Sequence, residues 1–213
     1  SHDDHTYGDF VRIGSGGALP DQVISDPLAN ARLTTEQLKI SKLGALILFT
    51  SQGAVMIEEG HEFARSKVIA RSEAPDSMAG RIDHNSYNKD NETNWLNYSH
   101  AALNQELIDY YKGLIRLRKR YAAFRSTPSG AIHFSDGDNP FALSFQIRRA
   151  DNPDRRDFLV LLNGHREEMS RFILPEGQWR ILVNGEKAGP DPEERRVEGE
   201  LVLPSTTGMV LVR

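Results

Sequence analysis

The hydrophobic period of this chain switches once, and that switch constrains the fold more than any other feature. Ahead of Thr127-Pro128-Ser129-Gly130 the apolar residues recur at helical spacing, whereas beyond it they alternate at the period of two that marks half-buried strands. The chain therefore reads as a helical α/β part followed by an all-β part. In the first part, Thr34 to Thr50 reads as a helix opened by a Thr34/Gln37 capping box, with Leu38, Leu43, Leu46, Ile47 and Phe49 on its apolar side. Gly53 ends it, and Ala54-Val55-Met56-Ile57 follows as a short unbroken apolar run, the pattern of a parallel strand covered on both faces. A second helix is predicted from about Ser99 to Phe124, with Arg116, Arg118, Lys119 and Arg120 loading its C-terminal part as a solvated end. Roughly forty residues of polar loop lie between that strand and this helix, well beyond an ordinary connection.

In the second part, Phe141, Leu143, Phe145 and Ile147 alternate with small or polar residues. Further strands are expected at Phe158 to Leu162, Arg171 to Leu174, Trp179 to Val183, Leu201 to Leu203 and Met209 to Val212. Asn163-Gly164 and Asn184-Gly185 supply turns between them, and an antiparallel sandwich fits best. The first part, by contrast, has only one predicted strand. One parallel strand makes no sheet, so its neighbours are expected from sequence upstream of this chain.

Composition narrows the function classes. With 26 Lys and Arg against 30 Asp and Glu in 213 residues, the formal charge of −4 offers no global attraction to nucleic acid or anionic lipid. The absence of cysteine removes disulfides, thiolate zinc sites and cysteine nucleophiles. No apolar run approaches the ~20 residues that cross a bilayer, and no targeting segment is visible, so neither a membrane nor a nucleic-acid partner is expected and localisation is unassigned.

Several motifs carry more than one reading. His2-Asp3-Asp4-His5 fits a metal cluster, an acid-base pair or a polar terminus. Glu58-Glu59-Gly60-His61-Glu62 ends the apolar run where α/β folds place ligands, yet it lacks a zinc helix's i, i+4 histidine pair, which points Glu62 to ion pairs or hydrogen bonds. Gly14-Ser15-Gly16-Gly17 reads as a flexible loop because no Gly-Lys-Ser/Thr follows. Asp83-His84-Asn85-Ser86-Tyr87-Asn88-Lys89-Asp90-Asn91 concentrates amides, carboxylates and a ring, the equipment for binding sugar hydroxyls and stacking on a sugar face. It is equally the composition of a solvated turn-rich loop.

Ser1-His2-Asp3-Asp4-His5-Thr6, Leu43 to Phe63, the His84-Asn85-Ser86-Tyr87-Asn88 segment and Tyr110 to Arg118, taken in this order, resemble pullulanase-type debranching enzymes of the α-amylase superfamily. The resemblance implies the C-terminal part of a (β/α)8 TIM barrel over residues 1–125, then a C-terminal antiparallel β-sandwich over 126–213. It further implies retaining hydrolysis of α-1,6-glucosidic branches in pullulan, starch or glycogen. Asp3 matches the family's transition-state-stabilising Asp and His2 the histidine that hydrogen-bonds a sugar hydroxyl in the −1 subsite. Tyr87, Asn88 and Asp90 match the loop beside the donor subsites. The family's nucleophile and acid/base precede Asp3 and have no counterpart here, so the chain alone is expected to be inactive, its partners being an α-glucan and the upstream barrel portion. No cofactor or metal is assigned to the chain; calcium is left to the intact enzyme. Asp4 for the usual Asn, and Glu59-Gly60-His61-Glu62 for the commoner Gly-Gln-Glu turn, leave open α-1,4 activity on the same scaffold. A noncatalytic glucan-binding or scaffold fragment is the other reading.

Overall fold

The computed structural model describes residues 4–19, 21–71 and 77–213. They group into two compact units, Ser1–Ser41 with Met56–Ile108 and Lys42–Val55 with Asp109–Arg213. No described helix is long and apolar enough to cross a membrane.

Helix α1 (Tyr7–Gly14) starts at Thr6, whose extended backbone and hydroxyl form an N-cap; Oγ1 accepts from Asp9 N at 3.1 Å. At its other end the N–H groups of Ser15, Gly16 and Gly17 donate to the carbonyls of Val11, Ile13 and Arg12, and Gly16 takes φ 77°. The glycine run, read from sequence as a flexible loop, is thus the C-terminal cap of a helix. Helix α2 (Pro27–Ala31) opens on Asp26, whose carboxylate accepts from Ala29 N at 2.9 Å, with Pro27 in its first turn. Helix α3 (Thr35–Thr50) carries the capping box: Gln37 N donates to Thr34 Oγ1 at 3.2 Å and Thr34 N to Gln37 Oε1 at 3.0 Å.

Ala54 to Ile57, whose neighbours are expected upstream of this chain, pairs with no strand among the described residues, and Met56 is 88% exposed. The apolar run has the composition of a covered strand, but the described residues hold no neighbour for its backbone groups. The helix expected over Ser99 to Phe124 is three helices, α4 (Ser99–Leu103), α5 (Gln105–Arg120) and α6 (Ala123–Ser126). Asn104 makes the first break. Its Oδ1 accepts from Leu33 N at 3.0 Å, and its Nδ2 donates to the carbonyls of Ala31 (2.9 Å) and Phe63 (3.0 Å). A buried amide with these partners competes with helix continuation, and the backbone of Asn104 leaves helical geometry.

The second unit holds eight strands: β1 (Ile132–Asp136), β2 (Ala142–Ile147), β3 (Phe158–Asn163), β4 (Ser170–Ile173), β5 (Trp179–Val183), β6 (Arg196–Val197), β7 (Glu200–Leu203) and β8 (Thr207–Val212). They form a six-stranded antiparallel sheet in the order β1-β2-β3-β8-β5-β6 and a two-stranded antiparallel sheet β4-β7. One core joins the two sheets: Leu159, Leu161, Ile181 and Leu211 from the large sheet pack with Phe172 and Leu203 from the small one around fully buried Trp179. Alternation along the strands puts these residues on one face, and removing each from water contributes on the order of 1.5–3 kcal/mol.

The helical side of this unit is built on α5. Tyr111 meets Phe49 edge-on at 5.8 Å, while Tyr121 and Phe124 each lie 5.0 Å from Phe158. The basic run is not uniformly solvated. Arg118 is 6% exposed and its guanidinium donates to the carbonyls of Phe49 (2.9 Å), Ser51 (2.6 Å), Gly53 and Phe124. These include carbonyls that the end of α3 leaves without helical partners.

Candidate functional site

The first unit is organised around a buried ion pair. Asp9 and Arg12, both on α1, are 0% and 1% exposed, and NH1 of Arg12 lies 3.3 Å from Asp9 Oδ1. The remaining valences reach outward: Arg12 donates to the carbonyls of Asn30 (2.8 Å), Ala31 (2.6 Å) and Ala64 (2.8 Å), while Asp9 accepts from Ser66 Oγ (2.6 Å) and Lys67 N (2.9 Å). Burial pulls the Arg12 pKa down and the adjacent carboxylate opposes it. Two sequence-distant segments are pinned to α1 by this pair.

The Glu58 to Lys67 segment is held on that base. Gly60 (φ 89°) and Ala64 (φ 55°) bracket a single 3₁₀ turn, His61–Phe63, and the His61 ring stacks on Tyr7 at 4.5 Å. Burial lowers the His61 pKa to about 4, so the imidazole is neutral near pH 7. Glu58, not Glu62, makes the ion pairs, with Arg65 at 3.7 Å and Lys67 at 3.8 Å.

The polar loop follows. Asp83 accepts from Asn85 N (2.8 Å) and pairs with Lys89 Nζ at 3.0 Å. Asn94 ties the loop together, its Nδ2 donating to the carbonyls of Ser86 (2.5 Å) and Lys89 (2.6 Å) while its own carbonyl accepts from Arg65. Asn91 Oδ1 accepts from Thr93 N (2.9 Å) and Asn97 Oδ1 from Ser99 N (3.0 Å). Many of the amides are thus spent on shaping turns. His84 meets His5 with ring centroids 6.1 Å apart, and His5 also packs edge-on against Phe10 at 5.4 Å. The loop and the end of the N-terminal motif are therefore neighbours. His2 and Asp3 lie outside the described residues. Tyr87 (66% exposed), Asn88 and Asp90 are all exposed, their side chains making no hydrogen bond among the described residues.

The concave part of this unit is next to those three residues in sequence, but does not include them. A cavity of about 350 Å³ is lined by Glu92, Trp95, Asn97 and His100 together with Ser66, Ala70 and Arg71. Trp95 is 58% exposed, so a broad ring face is available at the opening. His100 is 6% exposed with Nδ1 lacking a hydrogen-bond partner, and its pKa is lowered by burial, then by Arg12, with Asp9 opposing. The cavity thus combines an indole face, a carboxylate, an amide, a neutral imidazole and the Arg71 guanidinium, a mixed set of donors and acceptors that suits a polyhydroxylated molecule. Sequence reading missed Glu92, Trp95, Asn97 and His100 as site residues. One of only two tryptophans, set in a polar loop, was the available signal. Among the described residues, no group of three or more His, Asp or Glu side chains is placed to hold a metal ion.

No family model matches the sequence. The chain is 30% identical over 202 residues, 94% of its length, to a pullulanase of Bacillus subtilis. It is 29% identical over 149 residues, 63% of its length, to a glycogen debranching enzyme of Cronobacter sakazakii. It spans 21% and 19% of the lengths of these two relatives. A pullulanase from Anoxybacillus, solved in complex with maltotetraose, covers 100% of this chain with 26% of its own length, at a TM-score of 0.73 and 21% identity. That last likeness is one of fold.

Proposed function

From the similarity of this chain, over nearly all of its sequence, to a pullulanase, we propose that it is the C-terminal part of a retaining glycoside hydrolase that cleaves α-1,6 branch linkages in pullulan, starch or glycogen. In this reading residues 1–125 are the last segments of a (β/α)8 barrel and 126–213 a β-sandwich, the two sheets around Trp179 being its layers. Unpaired Ala54 to Ile57 is the barrel stave whose neighbours lie upstream. Asp3 stabilises the oxocarbenium-like transition state and His2 hydrogen-bonds a sugar hydroxyl, while the nucleophile and acid/base are supplied by upstream sequence. The packing of His5 against His84 supports this, because it brings the N-terminal motif beside the polar loop. Tyr87, Asn88 and Asp90 contact glucan from that loop, and Trp95 adds a stacking face. The maltotetraose complex of the Anoxybacillus pullulanase supports an α-glucan as the ligand.

The observation that carries the proposal is the alignment with the Bacillus subtilis pullulanase across 94% of the chain. Its test is reducing-end release from pullulan by the polypeptide that joins this chain to its upstream barrel segments. Asp3→Asn is expected to lower kcat by about 10²–10³-fold with little change in KM, the usual effect of losing one group that stabilises developing charge. Unchanged activity removes Asp3 from the mechanism, and cleavage of maltooligosaccharides in place of pullulan shifts the linkage to α-1,4. A second reading, glucan binding without chemistry, is favoured by the Trp95 cavity, which lies wholly within this chain. For it, the 213-residue chain binds maltotetraose by calorimetry, and Trp95→Ala weakens that binding about tenfold or more.

A further inference from the structure

The face of the large sheet that carries the core changes character from strand to strand. Residues opposite one another in the ladder share a face, and the register aligns Leu159 with Gln146 and Gln146 with His133, then Leu161 with Ser144 and Ser144 with Ser135. From β3 to β1, then, the same face passes from buried leucine to amide and hydroxyl to imidazole and hydroxyl. The small sheet covers the leucines through Phe172 and Leu203 and leaves the polar strip of β1 and β2 uncovered. At the step between them lies a groove of about 490 Å³, within the ~300–1,000 Å³ range of small-molecule sites, with Leu159 and Phe172 in its floor.

The rim of the groove is held in place. Asp138 accepts from Ser170 Oγ at 2.5 Å and from Arg171 N at 3.0 Å, tying the β1-β2 turn to β4, and Arg171 itself lies 3.3 Å from Glu200 on β7. Two side chains on this fixed frame, Gln146 on β2 and Arg148 just beyond it, line the groove and make no hydrogen bond or ion pair among the described residues. With the Asp138 carboxylate at the rim they offer an acceptor, an amide with both functions and a planar guanidinium, set above an apolar floor. A hydroxyl both donates and accepts, so vicinal hydroxyls match such a mixed set. An anion would face the carboxylate of Asp138.

We propose that this groove is a second carbohydrate site, binding a neutral oligosaccharide through Gln146 and Arg148, with Asp138 at its rim. That the sugar is an α-glucan rests on the function proposed above. The site would hold a polysaccharide chain on the β-rich unit, away from the Trp95 cavity in sequence and in structural unit.

The test is a titration of the 213-residue chain, followed by the amide and guanidinium resonances of Gln146 and Arg148, with maltotriose, cellotriose and inorganic phosphate as probes. Maltotriose is expected to shift these resonances saturably. The Gln146→Ala, Arg148→Ala double variant, altered at one half-buried and one exposed position, is expected to weaken binding at this site about tenfold or more, and Trp95→Ala to leave it intact. A response to cellotriose alone upholds the groove as a sugar site and counts against the α-glucan reading. The proposal is overturned if neither sugar moves these resonances, if phosphate moves them as strongly, or if the double variant binds as the parent does.

Discussion

Asp9 shows how one side chain can hold a whole unit. Its carboxylate is fully buried, and five partners converge on it or on its ion-pair partner Arg12 from segments as distant in sequence as Lys67. Removing one member of a buried pair strands the other charge in low dielectric, so Asp9→Asn is expected to lower unfolding stability by about 3–5 kcal/mol, measured by urea denaturation. A loss below ~1 kcal/mol would mean that Arg12 is satisfied by its three carbonyls alone. None of this was legible in the sequence, because Asp9 and Arg12 are an unremarkable i, i+3 pair until the fold buries them. The converse holds for the polar loop. Its composition points to sugar chemistry, and the family resemblance singles out Tyr87, Asn88 and Asp90, all of them exposed. The concavity belongs to Glu92, Trp95, Asn97 and His100, since only folding reveals which residues of a loop face inward.

At the level of elements, local rules predicted what they govern. The Thr34/Gln37 capping box sits where its spacing required, and the alternating runs became β2, β3, β4, β5, β7 and β8. Short elements whose signal is a cap escaped notice, as with α1 at Thr6 and α2 at Asp26-Pro27. Strand β1 escaped too, since an edge strand with an exposed face shows little apolar alternation. Close packing between elements was equally invisible. Gly113 on α5 faces the segment after β5, where a Cβ would lie 2.0 Å from the carbonyl oxygen of Ala188. Helix propensity favours Ala over Gly by about 1 kcal/mol, but this overlap must force the two elements apart. Gly113→Ala is therefore expected to destabilise by about 1–3 kcal/mol, checked by thermal unfolding. A stabilised variant would show that the segment around Ala188 yields freely.

For the molecule as a whole, the two units are expected to differ in their response to acid. His61, in the first unit, has a folded pKa of about 4 against an ordinary 6.5. Between these values the unfolded chain takes up a proton that the folded one excludes, so stability is full above about pH 6.5 and falls progressively towards pH 4. Asp157, in the second unit, behaves differently. Burial raises its pKa, but hydrogen bonds from Arg149 N (2.8 Å), the Arg149 guanidinium (2.9 Å) and Arg213 Nε (2.9 Å) outweigh this and leave it below 3.8. Its contribution persists above that value and is lost only as pH falls through the depressed pKa. Amide protection factors in the first unit, corrected for the intrinsic slowing of exchange in acid, should thus fall between pH 6.5 and 4 while those of β3 and β8 hold, and His61→Phe, which keeps a ring on Tyr7, should flatten the trend. An equal fall in both units would rule out His61 as its source.

Met56 bears on how the protein must be handled. An extended stretch with free N–H and C=O groups and an almost naked thioether side chain is a template for another molecule's backbone. Concentrated solutions of the isolated polypeptide should therefore self-associate through this ribbon. A charged gatekeeper, Met56→Lys, should raise the concentration at which light scattering first appears while leaving the circular dichroism spectrum unaltered.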